Sequence, residues 1–311
     1  MTAVQSEAAG WFGALAVRGR RRVFEPMSQH CSWRAGGTAD RFFEPDDIED
    51  LQVFMRALPP GEPLTWIGLG SNLLVRDGGL RGTVILTGRG LAQLSWVDRN
   101  TLRAGAGTAC AKAAKVAAKA GFTGGEFLAG IPGTIGGALA MNAGAFGHEI
   151  WPLVVAVETI DRSGTLRRRE AGEYTWSYRH VDRPAEEWFV GGELRFKDGE
   201  DGVAAGRIRA LLNLRSETQP LGLPSCGSVF KNPPGNFAGR LVEAAGMKGA
   251  RRGGAYVSPK HANFIINDGT ASAADIEGLM EDVRARVLET SGLRLEHEVR
   301  IVGDPIPEPA S

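Results

Sequence analysis

Gly125-Glu-Phe-Leu-Ala-Gly-Ile-Pro-Gly-Thr-Ile-Gly-Gly-Ala-Leu-Ala-Met-Asn-Ala-Gly-Ala-Phe-Gly147 interleaves glycine with apolar residues and carries almost no charge. Glycine tolerates positive φ and has no Cβ, so such a stretch lets several backbone N–H groups converge on one anion. Thr134 and Asn142 can add side-chain hydrogen bonds. A pyrophosphate suits this composition, although a tightly turned, buried segment without a ligand fits it as well.

Upstream lies a second glycine turn, Gly68-Leu-Gly-Ser-Asn72. It follows Leu64 to Gly68, a strand by its residue types, but leads into Leu73 to Val75, another strand, and does not open a helix. That order excludes a Rossmann fingerprint. With Ser71 and Asn72 as polar groups, the turn is suited to form the opposite wall of the same phosphate site, or else a plain hairpin.

Around these turns the chain alternates elements. Asp46 reads as the N-cap of a helix carrying Ile48, Leu51, Phe54, Met55 and Leu58 at helical spacing, with Glu49 completing a capping box. Thr108 to Ala120 is a helix stopped by Gly121. Val154 to Ile160 and Thr165 to Arg169 read as a hairpin, and Trp188 to Phe196 as a further strand. An exposed connector at Asp201 and Gly202 precedes a helical pattern ending near Leu214, which sets a domain boundary near residue 204. Beyond it come a helix at Phe237 to Ala245, strands near Ala255 and at Phe264 to Ile266, a helix capped by Ser272, and a last strand Val299 to Val302. The fold class is α+β with a separate C-terminal α/β lobe.

The chain has 311 residues, with 36 basic against 36 acidic side chains. That balance provides no field for nucleic acid or an anionic membrane. Cys31, Cys110 and Cys226 lack metal-ligand spacing, and the sparse histidines form no cluster with them. We read the thiols as free, the chain as metal-free, and the compartment as a reducing cytosol. The apolar stretch Trp11 to Val17 precedes the basic run Arg18 to Arg22, the reverse of a secretory signal, and that run reads as a solvated arm. No apolar span reaches the roughly twenty residues that a membrane crossing needs, and nothing marks an obligate protein partner.

Taken together, Ser32 to Asp40, Gly68 to Leu74, Gly125 to Gly147, Tyr178-Arg179, Pro224 to Pro233, Ser258 to Asn267 and Glu298 to Gly303 resemble, in order, the blocks of the UDP-N-acetylenolpyruvoylglucosamine reductase family. The resemblance covers residues 28 to 303 and is to the shorter subtype, which lacks an inserted tyrosine loop. It implies a two-lobed FAD-binding domain of the vanillyl-alcohol-oxidase type plus a C-terminal α/β substrate-binding domain. We therefore expect residues 1–90 and 91–203 as the two flavin-binding subdomains, 204–303 as the substrate domain and 304–311 as a tail. FAD, held non-covalently, is implied to contact Gly68, Gly70, Ser71, Asn72, Leu73, Ile131, Pro132, Gly133, Thr134, Gly136, Gly137, Asn142, Ala143 and Gly144.

The implied reaction is NADPH-dependent reduction of UDP-N-acetylglucosamine enolpyruvate to UDP-N-acetylmuramate, a step in making peptidoglycan precursors. Hydride addition to the enol ether leaves negative charge beside a carboxylate, which calls for a cationic group and then a proton donor. By match to the family, Ser228 is the proton donor, Arg179 stabilises the enolate, and Glu298 supports the carboxylate end or helps proton transfer. Glu296, two residues from Glu298, lies on the same face of an extended segment and is its rival. Tyr178, Lys231 and Asn232 are candidate substrate contacts. The family commonly has a small polar residue two places after the arginine, where this chain has Val181. Cys226 reads as a bystander, because no histidine pairs with it. The alternatives are a flavin oxidase or dehydrogenase acting on an alcohol or hydroxy acid, and a non-catalytic flavin-binding protein.

Overall fold

The computed structural model of the protein describes residues 10–200 and 202–306. They form two compact units. The first is built from the residues up to Val23, Arg41–Leu69 and Gly82–Arg215, and the second from Phe24–Asp40, Gly70–Arg81 and the residues from Ser216 onward.

In the first unit an antiparallel five-stranded sheet runs in the order Leu166–Glu170, Val154–Asp161, Glu187–Arg195, Thr101–Gly105, Leu94–Trp96. Alternation decides its two faces. Leu102, Ala104, Val157 and Leu194 point into a core shared with the helices Cys110–Lys119 and Ile135–Met141. Their neighbours Arg103, Glu158 and Glu193 point the other way. On that face Arg103 bonds Glu158 at 2.6 Å and Arg168 bonds Glu193 at 2.7 Å, whereas Arg169, opposite Val157 in the register, bonds Glu187 at 2.7 Å on the other face. A second core gathers Phe12, Phe43, Leu51, Phe54, Met55, Ile85, Ile160 and Val190. Its helix, Ile48–Arg56, is capped by Asp47, whose side chain accepts from the Asp50 N–H at 2.9 Å. The cap therefore sits one residue beyond the expected Asp46. Asp46 instead donates its own N–H to Asp50 Oδ2 at 3.1 Å.

The basic run is not a free arm, because Arg20–Pro26 is a strand, although the side chains of Arg18, Arg20 and Arg22 stay exposed to solvent as expected. Arg21 donates to the carbonyls of Phe12 and Leu15 at 2.9 and 2.8 Å, and the Arg18 guanidinium bonds Asp47 at 2.6 Å. Asp47 offsets the charge of Arg18, while the carbonyls of Phe12 and Leu15 only accept hydrogen bonds from Arg21.

The second unit has a three-stranded antiparallel sheet, Arg251–Arg252, Ala255–Val257 and Ile265–Asn267, and a parallel pair, Leu73–Val75 with Arg300–Val302. The helix Ala273–Ser291 starts with a capping box of Ser272 and Asp275, and its first N–H groups also donate to Asp77 at 2.9 Å. It ends at Gly292, which takes the left-handed conformation (φ 69°). Ile276, Leu279, Met280, Val283 and Val287 face a core with Trp33, Leu74, Val229 and Phe230.

The chain is thus not divided as three consecutive blocks. Phe24–Asp40 and Gly70–Arg81, expected in the first flavin-binding lobe, fold with the C-terminal residues. Trp33 shows why. It is fully buried, its Nε1–H donates to Ile265 O at 2.7 Å, and its own carbonyl accepts from Asn267 Nδ2 at 2.8 Å. The helix Val203–Thr218 begins at the expected boundary and runs through it, and the division falls between Arg215 and Ser216. Of the proline-rich tail, residues 307–311 lie outside the described residues, while Asp304 pairs with Gly79.

Candidate active site

Gly68 and Leu69 belong to the first unit, and Gly70 to Asn72 to the second, so the second glycine turn is where the chain passes between them. It is not a hairpin. Leu64–Ile67 pairs in parallel with Thr83–Leu86, whereas Leu73–Val75 pairs with Arg300–Val302.

In the first unit the two glycine stretches meet. A Cβ on Gly68 would stand 2.4 Å from Thr134 Oγ1, so a side chain cannot be added without displacing that hydroxyl. Thr134 occupies the N-cap of the helix Ile135–Met141, yet its side chain does not cap it. Among the described residues this hydroxyl, on a residue only 3% exposed, has no hydrogen-bond partner. A buried hydroxyl without a partner costs about 1–3 kcal/mol, which makes it a marked position in an otherwise satisfied loop. An acceptor group brought by a ligand removes that cost, as a cofactor phosphate would. The residues present therefore fit FAD.

The rest of the stretch builds the wall and is less free than its composition suggests. The N–H groups of Ile131, Gly133 and Gly136 donate to Leu128 O, Ile131 O and Ala106 O at 3.1, 2.9 and 2.9 Å. Asn142 is fully buried and left-handed (φ 44°). Its Nδ2 donates to Glu149 and to Ser177 O at 2.8 and 2.9 Å, and its Oδ1 accepts from the Trp151 N–H at 3.3 Å. Its side chain thus braces the loop, which corrects the expectation that it adds a hydrogen bond to the anion. The Ala143 N–H is likewise bonded to Ala138 O at 2.9 Å. Pro132 is exposed on the loop surface.

Tyr178 and Arg179 are the tip of a two-residue hairpin between Thr175–Ser177 and His180–Asp182. Arg179 has φ 56°, a conformation that costs a residue with a Cβ about 1 kcal/mol or more. Its guanidinium bonds Asn142 O and Gly144 O at 3.4 and 3.2 Å and lies 5.0 Å from the centre of the Tyr178 ring. Val181, where the family commonly has a small polar residue, is buried in the core. Arg179 is therefore oriented by the glycine stretch.

The second unit carries the other candidates. Gly70 has φ 60°, and a Cβ there would be 2.0 Å from His30 O, so only glycine fits. Asn72 Nδ2 donates to Glu298 O at 3.0 Å, and Asn72 O accepts from the Arg300 N–H at 3.1 Å. The peptide on the other side of Glu298 is held too, since the Glu298 N–H donates to Val229 O at 2.8 Å. Ser228, just before Val229, is half-buried and lines a pocket of about 550 Å³ with Asn232, Phe237, Gly239, Arg240, Lys260, His261 and Asn263 among its walls. Ser228 and Glu298 thus sit on adjacent extended segments. Glu296 is exposed and lies 3.5 Å from the Lys231 ammonium, whereas Glu298 is half-buried. Asn232 Oδ1 accepts from the Ala238 N–H at 3.0 Å and so starts the helix Ala238–Ala244.

Cys226, read as a bystander, has a structural job. Its thiol donates to Leu73 O and Gly70 O at 3.3 and 3.6 Å, tying the loop of Ser228 to the glycine turn. Burial pushes its pKa up to about 12, so it is not a nucleophile. Sequence reasoning also missed Asn263 and His261, whose roles come from neighbours that only folding supplies.

Residues 39–169 match the family described as FAD binding domain, and residues 219–302 the one described as UDP-N-acetylenolpyruvoylglucosamine reductase, C-terminal domain. The UDP-N-acetylenolpyruvoylglucosamine reductase of Alkalilimnicola ehrlichii is 56% identical over 286 residues, covering 92% of this chain and 96% of that protein. The enzyme of the same name from Methylococcus capsulatus is 54% identical over 94% of this chain and 96% of its own length. The crystal structure of UDP-N-acetylenolpyruvylglucosamine reductase from Thermus caldophilus superimposes with a TM-score of 0.77 at 33% identity, covering 91% of this chain and 98% of that one. Identity of this extent, across both units, shows that the chain belongs to the UDP-N-acetylenolpyruvoylglucosamine reductase family.

Proposed function

We propose that the chain reduces UDP-N-acetylglucosamine enolpyruvate to UDP-N-acetylmuramate with Ser228 as the proton donor, Arg179 as the cation beside the developing enolate, and Glu298 supporting the proton-transfer end. Bound FAD would supply the hydride-transfer chemistry that links NADPH to the vinyl carbon of the substrate. The chain's own residues do the rest. Gly68 leaves room for the Thr134 hydroxyl, which, having no partner among the described residues, would receive the cofactor. Arg179 is held in a strained conformation by the carbonyls of Asn142 and Gly144, which limits how far its guanidinium can swing. A serine hydroxyl is a weak acid, so its transfer of a proton to the adjacent carbon relies on the basicity of the carbanion.

The observation that carries this reading is the pairing of the two segments: Glu298 is anchored on both sides of its peptide, to Asn72 and to Val229, and Val229 directly follows Ser228, which lines the pocket. In our reading that pocket takes the nucleotide-sugar part of the substrate, with Arg240 and Lys260 supplying positive charge for the diphosphate. A cytoplasmic location belongs to the same proposal. It is supported by three cysteines that are all buried and unbridged; no helix of the described residues is long and apolar enough to cross a membrane.

The test follows NADPH oxidation by the purified protein with and without UDP-N-acetylglucosamine enolpyruvate. Oxidation should depend on the substrate, and Ser228→Ala should keep hydride transfer from NADPH but slow turnover of the substrate by orders of magnitude. Oxidation indifferent to the substrate, or equal loss of both half-reactions in the variant, rejects the assignment.

A further inference from the structure

We propose that His261 is a substrate-binding residue, presenting a neutral Nε2–H to an oxygen of the diphosphate-sugar arm of the substrate. This deepens the reading above, because it rests on the pocket of Ser228 receiving the nucleotide-sugar.

The ring is held from several sides. Ser258, fully buried, accepts with its Oγ from the N–H groups of Lys260 and His261 at 3.2 and 3.3 Å, which sets the turn that carries the histidine. Phe264 packs edge-on against the imidazole, ring centres 4.8 Å apart at 64°. Gly239, on the helix Ala238–Ala244, leaves room for it, since a Cβ there would be 3.3 Å from His261 Cε1. The Asn263 N–H donates to His261 Nδ1 at 3.3 Å.

That last bond decides the tautomer. An imidazole whose Nδ1 accepts carries its proton on Nε2. Protonating Nδ1 would set its N–H against the Asn263 N–H, so the ring resists taking a second proton. Burial, with Lys248 adding a like charge, also holds its pKa below the ordinary value. The charged groups around it are Arg240 and Lys260 in the pocket, Glu243, and Lys248, which pairs with Glu243 at 2.6 Å. Among the described residues His261 Nε2 has no hydrogen-bond partner, and the residue lines the pocket.

Asn263 links this donor to the chemistry. Its carbonyl accepts from the Val229 N–H at 2.9 Å, and its side chain bonds both the N–H and the carbonyl of Phe230 at 3.0 and 2.9 Å. One buried residue thus orients both the histidine ring and the loop immediately after Ser228. An oxygen bound by His261 would be located relative to the proposed proton donor through that single residue.

The experiment compares steady-state kinetics of the FAD-loaded wild type with His261→Ala, His261→Gln and His261→Asn at saturating NADPH. A glutamine amide reaches the position of Nε2, whereas the shorter asparagine amide reaches that of Nδ1. His261→Ala should raise KM for the enolpyruvyl substrate about 10-fold or more, the loss of one directed hydrogen bond, with the deficit in KM and not in kcat. Glutamine should recover most of that loss and asparagine little. Inhibition constants for UDP and UDP-N-acetylglucosamine identify the acceptor: if both rise in His261→Ala the oxygen is on the diphosphate, and if only the second rises it is on the sugar. An unchanged KM in His261→Ala, or glutamine no better than alanine, overturns the assignment while a wild type that turns over leaves the proposed reaction standing. A wild type that does not reduce the substrate removes the underlying reading, and this one with it.

Discussion

Replacing Thr134 by valine should make the cofactor-free protein more stable and the cofactor-bound protein looser, two effects of opposite sign from one atom. Valine fills the space of threonine and removes only the hydroxyl. That hydroxyl is buried beside Gly68, has no partner among the described residues, and does not cap its helix, so the usual loss on removing an N-cap threonine does not apply. Relief of an unsatisfied buried hydroxyl is worth about 1–3 kcal/mol. In a protein of this size each kcal/mol moves Tm by about 2–4 °C. A hydrogen bond to a charged phosphate contributes about 1.5–3 kcal/mol, so losing it should weaken FAD binding roughly 10- to 150-fold. Thermal unfolding of the apoprotein measures the first effect, and titration of the apoprotein with FAD, followed by flavin fluorescence, measures the second. A valine variant that unfolds earlier and binds FAD normally would refute the reasoning, for the hydroxyl would then have a partner in the protein or its solvent.

Asn72→Asp keeps the shape of the side chain but removes the donor to Glu298 O; substrate turnover should fall at least about 10-fold while NADPH still reduces the bound flavin, as stopped-flow absorbance would show. Parallel loss of FAD from the variant would return Asn72 to a purely cofactor-binding role. Hydrogen bonds from Arg169 and Arg168 hold the carboxyls of Glu187 and Glu193 below their ordinary value of 4.5. Folded values depressed in this way contribute stability above pH 4.5 that is lost as pH falls through and below it. Urea midpoints of Glu193→Gln should therefore depend less on pH between 5 and 3, on the order of the pH window set by a carboxylate, than those of the wild type, and identical profiles would contradict the ion-pair account. Burial drives the pKa of Cys110 and Cys226 up to about 12 and raises that of Cys31; a thiol reagent at neutral pH should find no reactive cysteine until the protein is denatured, and prompt labelling of the native enzyme would disagree.

Several elements were legible because their causes are local. The hairpin of Val154–Asp161 with Leu166–Glu170 and the helix behind Ser272 follow from residues a few positions apart, namely turn formers, caps and alternation. The same locality explains the errors. Asp46 and Asp47 are equally good caps as residue types, and the geometry of Asp50 chose between them. The run Arg18 to Arg22 reads as a free arm from its charge alone, but Arg20–Pro26 is a strand and Arg21 is turned onto the carbonyls of Phe12 and Leu15.

By itself the sequence determined the family, the α+β class and the glycine-rich segments where backbone must come close to other backbone, since these depend on residue types and their order. Tertiary structure decided which groups in those segments remain free to act. It engaged the Asn142 side chain in bracing the loop, left the Thr134 hydroxyl without a partner among the described residues, and turned Asn72 toward Glu298. It also joined Trp33 to Ile265, far away in the chain, and so moved Phe24–Asp40 into the second unit. The physical reason is that a hydrogen-bonding group is committed by whichever partner the fold brings within about 3 Å, and that distance is not written in its neighbours along the chain.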